Sequence, residues 1–213
     1  MAGLVTLEAL DLAALLCSRV CHDLISPVGA VVNGLEVLEE GKDEETRTFA
    51  LDLIKKSAQQ ASARLQFCRL AFGAAGSAGA AIDLGDAQGV ARGFLEDGKT
   101  RLEWNLPREL LPKNRVKLLL NLLLLAGQTI PRGGALKVDP VGEGQTMGFR
   151  IGATGQNARI PQAVPGLVAG EPAAGHAVDS HAIQPFYTGL LARSCGLTVK
   201  LAPEGEGIVV TAA

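Results

Sequence analysis

His22 and Asp23 lie side by side in the run Cys21-His22-Asp23-Leu24-Ile25-Ser26-Pro27. A neutral imidazole is a good nucleophile near pH 7, since its reference pKa is about 6.5. The adjacent carboxylate can accept or hold the other ring N–H, or orient the ring. Pro27 follows five positions after His22, inside what otherwise reads as helix. A proline there removes the N–H that would bond the Asp23 carbonyl and clashes with it, at a cost of about 3 kcal/mol or more. Such a cost invites a local explanation. A kinked or loosened turn beside a surface imidazole lets the pair adjust for in-line chemistry with a docking partner.

Other reactive residues are scarce. His176 and His181 have no acidic or cysteine partner at useful spacing and read as surface or structural residues. Cys17, Cys21, Cys68 and Cys195 include one CxxxC pair, which a helix sets one turn apart. They read as small buried or half-buried thiols, because three histidines and this spacing assemble no zinc constellation. No metal residues are assigned.

The element that carries His22 is long and amphipathic. Leu12, Leu16, Val20, Leu24, Val28, Val31, Leu35 and Leu38 recur at spacings of three and four, which at about 100° per residue makes one broad stripe. His22 projects from the far side. Ser18, Arg19, Ser26, Gly29 and Asn33 share its face at helical spacing, so they form the candidate contact surface for a partner. Arg19 is placed to steer a partner's acidic site, and the small Gly29 and Ala30 let another helix approach closely.

A second helical pattern repeats through Ala50, Ile54, Ala58, Ala61, Leu65, Cys68 and Phe72. Gly41 can close the first helix and Asp43 can cap the second, and so short a connection makes an antiparallel hairpin. Two helices cannot close both stripes against water. A homodimeric four-helix bundle is the simplest solution.

Beyond the small-residue stretch near 73–81 the pattern turns mixed, and the expected fold class is α+β. Strands are expected at 100–106, 135–139, 147–153, 197–201 and 207–211, and helices at 86–97, 112–127 and 182–194. The last two strands read as a hairpin, and 156–175 as a long loop. Trp104 alternates with Leu102 and Leu106 and belongs to the core. The expected division is a hairpin at 1–74, a linker at 75–82 and a second domain at 83–213.

Composition sets the class. The 213 residues are 47% hydrophobic and 20% charged, with a formal net charge of -2, an ordinary soluble balance and less basic than a nucleic-acid binder. The longest apolar run, 118–126, is broken by Asn121 and falls short of the roughly 18–20 residues of a membrane span. The amino terminus has no basic start of a secretory signal, so a cytoplasmic protein without membrane or nucleic-acid partners is expected.

His22, Asp23, Leu24, Ser26 and Pro27 together resemble the H-box of sensor histidine kinases. In that family the histidine receives a phosphoryl group and passes it to an aspartate of a receiver domain. The second half resembles the kinase ATPase-like (Bergerat-like) α/β sandwich, with eroded motifs. Asn121 to Ala126 resembles the N-box, but the second asparagine, which in the family helps hold magnesium with ATP, falls at Leu125. Ile151 to Asn157 resembles the adenine box, but Ala153 replaces its aspartate and Asn157 its second glycine, and Gly155 alone survives. The stretch from Thr188 to Leu201 resembles the last kinase helix and strand.

The whole chain is similar to the ChpT-type histidine phosphotransferases of alphaproteobacteria. Their fold implies a homodimer around a four-helix bundle followed by a degenerate ATPase-like domain. Their function implies relay through His22 between the receiver domain of a hybrid histidine kinase and response regulators of the CtrA and CpdR type in cell-cycle signalling. ATP would not be used, no cofactor would sit on this chain, and Mg²⁺ would be bound in the receiver's acidic pocket. Two other functions remain open: an active histidine kinase with atypical ATP boxes, and a noncatalytic dimeric adaptor in which His22 is incidental.

Overall fold

A computed structural model describes residues 5–73, 81–96, 98–172 and 177–213. Helices α1 (Ala9–Glu40) and α2 (Glu44–Ala71) form the antiparallel hairpin. Asp43 caps α2, its side chain accepting from the Thr46 amide and hydroxyl at 2.8 and 2.7 Å, and the Thr46 bonds hold its carboxyl below the usual range. Gly41 ends α1 without the left-handed turn common at helix ends (φ -66°). Its lack of a side chain matters for a different reason, since a Cβ would come within 2.9 Å of Thr46 and of the Val37 carbonyl oxygen.

The rest is an α+β domain. It runs β1 (Ala81–Asp83), α3 (Leu84–Leu95), β2 (Thr100–Trp104), β3 (Leu110–Pro112), α4 (Lys113–Thr129), β4 (Gly134–Val141), β5 (Gly148–Thr154), α5 (Val164–Ala169), α6 (Ile183–Ser194), β6 (Val199–Glu204) and β7 (Gly207–Ala212). The main sheet has the order β2-β4-β5-β7-β6, parallel only between β2 and β4. β1 and β3 pair separately. Helix α4 buries Leu118, Leu119, Leu120, Leu122, Leu123 and Leu125 completely. A helix apolar on every side needs neighbours on every side, and the sheet, α2, α3 and α6 supply them.

Several expectations change. The loop expected at 156–175 contains α5, entered through Pro165 and closed by Gly170 in the left-handed region (φ 81°). β1 and β3, each of 3 residues, were too short to show a period. Pro112 precedes α4 as its cap instead of opening its first turn. Of the expected linker, 75–80 lies outside the described residues, while Ala81 and Ile82 belong to β1. Trp104 is half-buried against the core.

The hairpin is anchored to the second domain along two seams. Phe67 and Ala71 of α2 enter the main core, where Phe67 stacks on Phe94 at 4.2 Å. Leu12, Leu15 and Leu16 of α1 pack on Leu167, Ile183 and Phe186 around the start of α6. This second seam brings the domain's histidine to the hairpin's histidine.

Candidate functional site

His22 projects from α1 with 66% of its side chain exposed. Its Nδ1 lies 3.7 Å from Asp23 Oδ1, longer than a hydrogen bond but within ion-pair reach. With Nδ1 turned to the carboxylate, Nε2 is the ring nitrogen left for a reacting group. Asp23 is only 14% exposed and receives Arg19 Nε on Oδ2 at 3.0 Å. Arg19 therefore braces the carboxylate instead of standing free on the contact face.

The cost of Pro27 finds its explanation in α2. Without an amide at residue 27 the Asp23 carbonyl has lost its helical donor, and Arg64 Nη1 donates to it at 2.7 Å. Asp23 is thus held at both ends, its carboxylate by Arg19 and its carbonyl by Arg64. Arg64 was missed from sequence, although an orphaned carbonyl in an antiparallel hairpin asks for a donor on the facing helix. Behind this group, burial first and the Asp23 charge second push the Cys68 thiol up to about 11, so it stays protonated and unreactive.

Around His22, Ser18, Ser26 and Asn33 are exposed. A Cβ at Gly29 would meet nothing within 4 Å, so this fold does not need a glycine there. The residue that lets the helices approach closely is Gly34, where a Cβ would come within 2.7 Å of Ile54. Cys17 and Cys21, expected buried or half-buried, are exposed in the single chain. His176 lies outside the described residues. His181, read as an incidental surface residue, sits beside His22 with ring centres 5.4 Å apart. Among the described residues no group of three His, Cys, Asp or Glu is placed to hold a metal ion.

The histidine phosphotransferase C-terminal domain model matches residues 84–207. The chain belongs to the histidine phosphotransferase family. It is 52% identical over 208 residues to the protein phosphotransferase ChpT of Brucella abortus (strain 2308), covering 98% of each chain. A solved bacterial phosphotransferase superposes with a TM-score of 0.89 at 50% identity, covering 99% of each chain.

In this histidine phosphotransferase, residues that carry the resemblance to kinase boxes are built into the core. Asn121, Leu125 and Ala153 are all fully buried. The Asn121 amide donates to the carbonyls of Ala71 and Lys117 at 3.1 and 2.9 Å, and its side-chain oxygen accepts from Gln184 at 3.3 Å. A side chain with its donors and acceptor so engaged ties α4 to α2 and α6 and presents nothing to a ligand. Gly155 survives because a Cβ there would come within 2.3 Å of the Gly133 carbonyl oxygen. Asn157 is the one non-glycine residue with positive φ (60°) among those described. Asparagine tolerates that conformation better than most, so the turn keeps a glycine-like backbone where the resemblance places a lost glycine.

Proposed function

We propose that His22 is the phosphoryl carrier of a phosphorelay, taking the group from the aspartyl phosphate of a hybrid-kinase receiver domain and returning it to the aspartate of a response regulator. The observation that carries this is the exposed His22 ring backed by a doubly anchored Asp23. The lone pair on Nε2 attacks phosphorus in line, the P–O bond to the receiver aspartate breaks, and its electron pair leaves on the carboxylate. The Nδ1 proton stays on the ring facing Asp23, which balances the positive charge that develops there. Reverse transfer repeats these steps on a second receiver. The receiver's acidic pocket supplies Mg²⁺, and this chain contributes nucleophile and orientation.

The eroded boxes support relay without ATP. The adenine amine would find Ala153 where an aspartate is needed, and Leu125 offers magnesium no oxygen. The second domain then serves as scaffold and docking surface in a cytoplasmic two-component pathway, with regulators of the CtrA and CpdR type as the acceptors that the family likeness suggests.

The carrier is a homodimer in this proposal. Cys21, Ile25, Val28, Val32 and Leu35 expose one side of α1, and Leu51, Ala58 and Leu65 one side of α2 at intervals of seven. Heptad spacing is the signature of a helix-bundle seam. Helix α1 is also long and apolar enough to cross a membrane. Arg19, His22 and Asp23 in its middle favour a second copy over lipid. Sedimentation at micromolar concentration is expected to give a dimer, and a stable monomer would contradict the seam.

Gly29 tests the docking face. Gly29→Ala fills open space and removes a helix-interior glycine, so it is expected to stabilise the fold by roughly 0.5–1 kcal/mol. Gly29→Arg is expected to melt near wild type yet slow transfer from a receiver about tenfold or more, a loss of about 1.4 kcal/mol in transition-state binding. Thermal melts and single-turnover transfer check both, and unchanged transfer by Gly29→Arg would move the receiver elsewhere.

A further inference from the structure

The second domain places an imidazole against the reacting one. His181 lies in the turn that enters α6, and its ring meets that of His22 edge to face, with centres 5.4 Å apart and planes at 79°. The turn is built for it. Asp179 Oδ1 accepts the backbone amides of His181 and Ala182 at 2.9 and 2.8 Å, which fixes the segment ahead of the helix. The leucine seam from α1 to Ile183 and Phe186 fixes this turn against α1. His181 itself is exposed, so packing does not account for its side chain.

We propose that His181 is a positioning residue for phosphotransfer, whose ring N–H donates to an oxygen of the phosphoryl group carried on His22. This rests on His22 being the carrier. A phosphoryl group on Nε2 projects away from Asp23 and carries close to two negative charges. A neighbouring imidazole within this ring distance can reach its oxygens with an N–H, and does so more strongly as imidazolium. The groups facing His181 are Asp179 on its own segment and, across the seam on α1, His22 with Asp23 and Arg19 behind it. The Asp179 carboxylate lies on the backbone side of His181. It is itself held below the usual carboxylate range by the Ala182 amide first, then by the His181 amide and the charge of His181.

His181 thus gives the eroded domain a part in the chemistry. The bond does not exist before transfer, since it needs the phosphoryl oxygens, so it favours the phosphorylated carrier over the free one. It shifts the equilibrium between receiver and carrier toward phosphohistidine and leaves the resting fold unaffected.

The experiment compares wild type, His181→Ala and His181→Gln, each phosphorylated from a hybrid-kinase receiver domain charged with labelled acetyl phosphate. His181→Ala is expected to lower the share of label on the carrier at equilibrium about tenfold or more, as for the loss of a hydrogen bond to a charged group. His181→Gln keeps a neutral donor and is expected to recover part of this. Thermal melts should coincide, and the ³¹P resonance of the phosphohistidine should move in His181→Ala. A labelled wild type with the same equilibrium and ³¹P shift in His181→Ala overturns the proposal and leaves the carrier function standing. An unlabelled wild type, with the receiver shown to be charged, overturns the carrier function and this proposal with it.

Discussion

His22→Ala is expected to drop phosphoryl acceptance from a charged receiver to background while melting within about 0.5 kcal/mol of wild type. The two halves follow from the same geometry. Two-thirds of the His22 side chain is open to solvent, and truncation of an exposed side chain away from core, caps and buried networks changes stability little. The ring is nevertheless the nucleophile in place, exposed and with Nδ1 turned to the anchored Asp23 carboxylate, while the Cys68 thiol behind it is held protonated by burial. Removing the nucleophile of a covalent route leaves no partial pathway through its supporting residues. Filter-bound label and a thermal melt check this. Label at wild-type level on the alanine variant would assign the phosphoryl group to another residue and leave His22 incidental, as in an adaptor.

The second large effect concerns Arg64. Arg64→Ala leaves the Asp23 carbonyl without its donor, and is expected to cost about 1 kcal/mol in stability, the low end for an unsatisfied acceptor because the bond is only partly buried. It is also expected to slow transfer about tenfold, because Asp23 loses its anchor to α2 and the His22 ring its fixed backing. Pro27→Ala restores an amide at residue 27 that can bond the same carbonyl within α1. The cost of Arg64→Ala should then be smaller in a Pro27→Ala background, by about 1 kcal/mol in a double-mutant cycle. Equal costs in both backgrounds would mean that proline and arginine act separately.

The site was legible as far as local spacing reaches. His22, Asp23 and Pro27 stand together in sequence, and the hairpin that presents them was readable because Asp43 caps and the apolar residues repeat at helical intervals. The strands of the main sheet were found within a few residues because each alternates or runs apolar for long enough. What was missed depends on where elements meet. Arg64 is 41 positions from Asp23, and His181 reaches His22 only because the leucines at the start of α1 seat against α6. Arg19 was placed correctly on its helix but its side chain turns to Asp23, an intrahelical pair four residues apart that competes with steering a partner. Gly29 and Gly34 look alike in sequence. Only the crossing of α2 distinguishes the one in open space from the one under Ile54.

The second domain tells a related story at the level of packing. The residues that resemble kinase boxes stood out by type, yet their work in the fold did not. Asn121 belongs to a buried network with Gln184 and Thr188, and Gly155 survives for backbone contact. Polar side chains so enclosed and so fully bonded hold the core together.

The most direct measurement is the source of the phosphoryl group. The wild-type chain is incubated in parallel with a hybrid-kinase receiver domain charged by labelled acetyl phosphate, with labelled acetyl phosphate alone, and with labelled ATP alone, all with Mg²⁺. Acid-labile, base-stable label on the chain, mapped to His22 and found only with the charged receiver, is the predicted result. Label from ATP alone would make this an active kinase, and no label from a receiver that is demonstrably charged would contradict the relay.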